Sequence, residues 1–342
     1  MKNHCLIFGR RVNGLPLLTL LFLASLFSVS TQSSGTDQDG LVAVSSNDLS
    51  ASVVAVTKAG GFHTPMDSTP DPFGNFIYFV AIGPHGPGVF RIPAAANSPA
   101  VEVAAGFPFV APTGIAISSD GLSLYVADAQ AWNEDGSSGQ IFVVPTNGGH
   151  PTPLRGAAGT KPRNLDVVNE NGREVIYYSG REPRRRQPAI FWLPAMGNNA
   201  ARILAQGEPF VEPDEIAVTR TGVVYVADRA SVGPLRGNIF KIKGRSITPI
   251  TSAIRLGNPA GIALTLDEST LLVSSLQRDG HDQVLLVNLR TLRTQSFTDV
   301  IGQNENDAGG LHRARYREDF SWCGVTAGTG GQGTVYQVTL RP

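Results

Sequence analysis

The sequence is poor in cysteine, in charge and in long apolar runs, and each shortage excludes something. Its 342 residues contain two cysteines, Cys5 and Cys323. Loss of an N-terminal leader would leave Cys323 alone, so no intrachain disulfide can staple the fold. Cys323 lies in the run Phe320-Ser321-Trp322-Cys323-Gly324-Val325, which reads as a buried strand with the cysteine as core filler rather than nucleophile. Charged residues make up 16%, and 28 basic side chains balance 28 acidic ones. There is thus no global basic field of the kind that draws a protein to nucleic acid. No H-E-x-x-H, G-x-S-x-G or phosphate-loop string is present, and the six histidines are scattered at positions 4, 63, 85, 150, 281 and 312. Zinc hydrolases and serine-triad hydrolases therefore have no motif behind them.

The apolar run Leu15 to Val29 is broken by Pro16 and falls short of the roughly 20 residues needed to cross a bilayer core. Lys2, Arg10 and Arg11 precede it, and the small residues Ser28 and Ser30 close it. This is the pattern of a cleaved signal peptide over residues 1–30. The expected product is secreted or periplasmic, with no membrane span after cleavage. Residues 31–50, rich in Ser, Asp and Gly, are expected to form a flexible leader.

What is abundant is glycine and proline, 38 and 23 residues, which favours short strands joined by tight turns. One unit recurs. It runs Pro112-Thr113-Gly114-Ile115-Ala116-Ile117, Asp120-Gly121, Leu124-Tyr125-Val126-Ala127-Asp128 and Gly139-Gln140-Ile141-Phe142-Val143. The same order returns from Pro213 through Phe240 and from Pro259 through Leu285. The opening position falls at Pro65, Pro112, Pro162, Pro213, Pro259 and Ala308, in steps of 47, 50, 51, 46 and 49. The later aromatic or leucine, at Phe90, Phe142, Phe191, Phe240, Leu285 and Tyr336, gives steps of 52, 49, 49, 45 and 51. Such a period, with several strands per unit, is the scale of a propeller blade. The expected fold over residues 51–342 is an all-β, six-bladed β-propeller of four-stranded blades. Its last unit lacks an outer strand, and the stretch 52–57 (Ser-Val-Val-Ala-Val-Thr) is expected to supply it and close the ring. Asp128 and Asp228 recur at one place in the unit and so are expected to serve a backbone need common to all units.

The strings Pro-x-Gly-Ile-Ala, Asp-Gly and Tyr-Val-Ala-Asp in 112–128 resemble NHL-type repeats and the related propellers of the SMP-30/gluconolactonase group, a likeness covering roughly 52–342. In that group a divalent metal at the channel mouth is held by carboxylate and amide side chains from several blades. The resemblance places one such carboxylate at Asp214, in Pro213-Asp214-Glu215, while Thr113 and Arg163 stand where the group has asparagine ligands. Arginine cannot ligate a metal. A displaced site built from Asp67, Asn164, Asp214 and Glu215, one or two residues after each opening position, would suit Ca²⁺ or another divalent cation. The same residues could instead cap turns at the start of the inner strands.

The connection into each inner strand and the loop between the second and third strands share one face. That face carries Arg163, Arg181, Arg184, Arg185, Arg186, Arg229, Arg236 and Arg278, with Trp132 beside them. Bidentate pairing would let it dock a carboxylate, a phosphate or an acidic glycan. Two functions follow. The first is an exported, monomeric binding platform for a protein or an anionic small molecule or glycan, with no required cofactor. The alternative is a divalent-metal-dependent lactonase or esterase with His312 as a proton carrier.

Overall fold

The structure is a computed structural model that describes residues 50–58, 60–94, 99–196, 199–233, 236–251, 254–278, 280, 282–297, 308–324 and 333–341. The expected signal peptide (1–30) and all but the last residue of the expected leader lie outside the described residues.

Strands account for nearly all regular structure, because Val, Ile, Tyr and Phe dominate runs that turns at Gly, Pro and Asp punctuate every few residues. After β1 (Ser50–Lys58), a first sheet takes β2 (His63–Pro70), β3 (Phe76–Gly83), β4 (Gly86–Pro93) and β5 (Val101–Ala105) in sequence order. A second holds β6 (Pro112–Ile117), β7 (Ser123–Trp132), β8 (Ser138–Pro145) and the two-residue β9 (Thr152–Pro153). After a single 3₁₀ turn (Arg155–Ala157), β10 (Leu165–Glu170), β11 (Arg173–Arg181), β12 (Pro188–Pro194) and β13 (Arg202–Gln206) make the third.

The next stretch departs from the expected architecture. β14 (Pro213–Val218), β15 (Val224–Gly233), β16 (Arg236–Lys243), β17 (Ser246–Pro249), β18 (Ile254–Leu264), β19 (Thr270–Leu276), β20 (Asp282–Asn288) and β21 (Thr294–Phe297) form one eight-stranded sheet. Among the described residues the propeller therefore consists of four four-stranded sheets and one larger sheet, not six separate four-stranded blades. The cause is local. β17 covers only Phe240–Lys243 of β16 and leaves its beginning bare, and β18 stays extended from Ile254, so that Arg236 and Gly237 pair with Arg255 and Ile254. An uncovered strand edge is a template for pairing, and here the following segment takes it. The two halves of the sheet still face each other across an apolar layer that includes Tyr225, Ile239, Ile262, Val273 and Leu285.

The last sheet joins the chain ends, in the order β1, β24 (Thr334–Arg341), β23 (Asp319–Gly324), β22 (Ala308–Arg313). β1 runs antiparallel to β24 from Ser50↔Arg341 to Lys58↔Thr334, and Val56 is buried with Cys323 and Val335.

Runs such as Val224-Tyr225-Val226-Ala227 are buried without alternation because one face meets the preceding sheet and the other meets the second half of its own sheet. The inner strands β2, β6, β10, β14, β18 and β22 each touch the next around a central channel. Asp128 and Asp228 fix the segments that enter β6 and β14: Asp128 accepts from Val110 N–H (2.7 Å) and Ala111 N–H (3.0 Å), and Asp228 from Val211 N–H (2.7 Å) and Glu212 N–H (3.1 Å). Among the described residues no helix is long and apolar enough to cross a membrane.

Candidate functional site in the central channel

Alternation along an extended strand puts the third and fifth residues of each inner segment on one side. The third residues are Asp67, Gly114, Asn164, Glu215, Gly261 and Gly310, and the fifth are Thr69, Ala116, Asp166, Ala217, Ala263 and His312. Three of these meet. Ligand atoms of Asp67, Glu215 and His312 all lie within 4.8 Å of one another, and the residues are 0%, 0% and 7% exposed. His312 Nε2 is 3.3 Å from Asp67 Oδ2 and 3.6 Å from Glu215 Oε1.

Backbone amides hold the two carboxylates in place. Ser68 N–H donates to Asp67 Oδ1 (2.7 Å), Ile115 N–H to Asp67 Oδ2 (2.8 Å) and Ile216 N–H to Glu215 Oε1 (3.1 Å). Glu215 Oε2 has no partner, and neither amide atom of the fully buried Asn164 has one. Unsatisfied buried polar atoms are costly, so groups aimed into a shared space without protein partners point to a ligand or ion. Glycine makes the room: a Cβ on Gly114 would overlap Asn164 Oδ1, and one on Gly310 would overlap the Asp67 carboxylate.

Burial is the main force raising the Glu215 carboxyl well above its ordinary value, and the Asp67 charge adds to it. Burial opposes charge on His312, but the Asp67 carboxylate and its hydrogen bond outweigh it and raise the imidazole. Asp166 is also raised by burial, against the charges of His312 and Arg315, and accepts from Val167 N–H (2.7 Å) and Val218 N–H (2.8 Å). The residues fit a divalent cation: two carboxylates and an imidazole converge, and the free Glu215 oxygen and the unpartnered Asn164 amide are available nearby. An imidazole among the donors suits Zn²⁺, Mn²⁺ or Fe²⁺ better than the all-oxygen sites of Ca²⁺.

Asp214 stands apart from this group. It is one residue from Glu215, and its carboxylate goes instead to Arg163 Nε (3.4 Å) and Ala260 N–H (3.0 Å). Of the expected ligands, then, the structure joins Asp67 and Glu215, puts Asn164 in the same layer, and adds His312, which sequence reasoning had offered only as a proton carrier. Asp166 was not singled out. The signal was present, because the fifth position is alanine in the clearest units (Ala116, Ala217, Ala263) and Asp166 and His312 break that rule.

The arginine-bearing face is partly self-neutralised. Arg163 is held by Asp214, and Arg229 Nη2 pairs with Glu212 at 2.5 Å. Arg181 donates to the Arg186 carbonyl (3.1 Å), and the Arg184 and Arg185 amides donate to Glu182, lowering that carboxyl. The Arg184, Arg185, Arg186, Arg236 and Arg278 residues are exposed, as is Trp132 at 74%.

A cavity of about 470 Å³ occupies the channel, and the fifth-position residues Thr69, Ala116, Asp166, Ala217, Ala263 and His312 all line it, forming its inner end.

No protein-family profile and no curated protein sequence matches the chain. Solved structures do. A gluconolactonase from Xanthomonas campestris superposes with a TM-score of 0.58 at 14% identity, covering 85% of this chain and 90% of its own. A TolB candidate from Agrobacterium tumefaciens gives 0.56 at 17%, covering 86% and 98%. A luciferin-regenerating enzyme gives 0.55 at 11%, covering 85% and 95%. At such identities the likeness is one of fold: this chain is a β-propeller of the architecture found in gluconolactonase-like and TolB-like proteins.

Proposed function

We propose that the protein is a divalent-metal-dependent hydrolase of lactones or esters, acting at the inner end of the channel. The observation that carries this reading is the convergence of Asp67, Glu215 and His312 beside the unpartnered Glu215 Oε2, with His312 also lining the channel cavity. The fold shared with a gluconolactonase supports it.

Asp67, Glu215 and His312 would hold the cation, with Asn164 as a neutral fourth donor. A divalent ion there supplies Lewis acidity toward a carbonyl and its attacking water. The chain's own groups do the rest. The amides of Ser68 and Ile115 fix Asp67 so that the site needs little reorganisation. The Asp166 carboxylate favours positive charge on His312. The channel walls limit the water that reaches the reacting carbonyl. Hydrolysis adds water across the acyl C–O bond: hydroxyl goes to the acyl carbon and the proton to the leaving oxygen, giving one hydroxy acid from a lactone.

The anion-binding platform has less support, because Arg163, just before β10, and Arg229, in β15, already pair with Asp214 and Glu212. Export through residues 1–30 as a cleaved signal peptide belongs to the same proposal, and mass spectrometry of the mature N-terminus tests it. The enzymatic reading is tested by assaying alkyl and sugar lactones with metal-loaded and chelator-treated protein. Turnover that chelation abolishes and added metal restores supports it, and turnover indifferent to chelation, or none, rejects it.

A further inference from the structure

The channel cavity has a direction. From His312 and Asp166 its wall runs outward to Ser119, Arg220, Leu266 and Tyr316, all in connections that follow the inner strands. The arginine-bearing loops belong to the other end: Arg163 begins an inner segment, and Arg181 N–H donates to the carbonyl of Thr160, just before that segment.

Level with His312 the wall carries Ala116 and Ala217, and toward the rim it carries the aliphatic side chains of Ile117, Val168, Val218 and Leu264. Alanine at the fifth position of three inner strands keeps the bore open where a longer side chain would cross it. The cavity also carries polar groups, among them Ser119, Asp166, Asn169 and Arg315, but a hydroxyl facing the aliphatic residues would go unpaired there, and each buried hydroxyl left unpaired weakens binding. Three arginines line the cavity: Arg315 donates to the Val167 carbonyl (3.1 Å) and faces the Asp166 charge, with its Nε left without a partner, and the other two are engaged. Arg313 donates to the carbonyls of Leu264, Ala314, Arg315 and Arg317, and Arg220 pairs with Glu268 at 3.0 Å. A polyanion would find little free charge there. A second cavity of about 550 Å³ shares Ser119 and Asn169 with the first and is edged by Pro194 and Met196, the latter 85% exposed. Its remaining lining residues are Asp120, Gly172, Arg173, Glu174 and Asn199, so a chain leaving the channel there would meet Pro194 and Met196 among polar side chains.

We infer that the substrate enters by this end and is a neutral lactone or ester bearing an alkyl or acyl chain, the chain lying along the aliphatic wall and the reacting carbonyl at His312. This rests on the hydrolase reading for the reaction, but not for the binding. The test is calorimetric titration with a non-hydrolysable alkyl δ-lactam and with the polyhydroxylated lactam of gluconic acid, using the full mature chain. Wild type should bind the alkyl lactam about tenfold or more tightly than the sugar lactam. Ala217→Phe should weaken alkyl-lactam binding about tenfold or more by filling the bore. Leu266→Asp, at an exposed rim position, should weaken it by about threefold or more and carries the test if Ala217→Phe fails to fold. Val211→Trp, before β14 at the other end, should change it less than about twofold.

Equal or tighter binding of the sugar lactam, no binding of either, indifference to the channel variants, or a block by Val211→Trp each overturn the inference. Binding as described without turnover of the alkyl lactone rejects the hydrolase reading and leaves the entrance in place. Metal-dependent turnover that survives both channel variants does the reverse.

Discussion

Gly310 lies against the Asp67 carboxylate so closely that a Cβ on the glycine would overlap its oxygen. β2 and β22, from opposite ends of the chain, thus meet at the channel only because one of them gives up its side chain there. Gly310→Ala should displace Asp67, cost about 1–3 kcal/mol by urea denaturation and weaken metal binding about tenfold or more. Gly222→Ala, at a turn with φ +77° and nothing within 4 Å of the new carbon, should cost stability through its backbone alone and leave metal binding unchanged.

Proton linkage makes the metal-free and metal-loaded proteins respond oppositely to pH. His312 is raised above 6.5, so its stabilising contribution is complete below that value and is lost as pH rises through its folded-state pKa. Glu215 is raised above 4.5, so above that value the unfolded chain releases a proton that the folded protein retains, and stability again falls with rising pH. Metal must displace these protons, so its affinity rises with pH. Urea midpoints taken from about pH 5 to about pH 8 should fall for chelated protein and fall less, or rise, with saturating metal. Parallel profiles would contradict the assignment of these groups to a cation.

β1 completes the sheet that joins the chain ends, and its Val56 is 3% exposed. Deletion through Lys58 bares the edge of β24 and loses about 2 kcal/mol from the valine alone. The melting midpoint should fall by roughly 4 °C or more. An unchanged midpoint would mean that β1 contributes nothing to closure.

Cys323 is fully buried, and burial pushes its thiol well above the ordinary range, with the Asp67 charge adding to the rise. Iodoacetamide should leave it unmodified in native protein and react at the rate of unfolding in urea, followed by mass spectrometry. Cys323→Ser should lower stability by about 1–2 kcal/mol while leaving metal content intact. Rapid native alkylation, or metal loss in the serine variant, would give the thiol a functional place.

The repeat was legible because it solves one problem many times: Asp128 and Asp228 bond the same backbone segment in two units, and Tyr-Val-Ala runs are buried on both faces. The fusion of two units into one sheet was not, since it depends on how few residues of β16 the short β17 covers and on Ile254–Leu256 staying extended. Asp67, Asn164 and Glu215 could be marked as polar residues near each unit's start. Choosing between Asp214 and Glu215 required knowing which way the strand faces, and joining Asp67 to His312 required a contact spanning 245 residues of chain. Unit six begins Ala308-Gly309-Gly310-Leu311-His312, too far from the repeat's usual opening to show that its histidine replaces the common alanine.

The metal site is tested most directly by equilibrium metal content. Wild type, Asp214→Asn and Glu215→Gln should be dialysed against Zn²⁺ or Mn²⁺, freed of excess and measured by mass spectrometry of the metal. Asp214 bonds Arg163 and Ala260, whereas Glu215 faces His312 and Asp67. Wild type and Asp214→Asn should therefore retain about one equivalent, and folded Glu215→Gln should lose most of it. A wild type that retains no metal, or a Glu215→Gln variant that keeps its full equivalent while Asp214→Asn does not, would contradict the assignment.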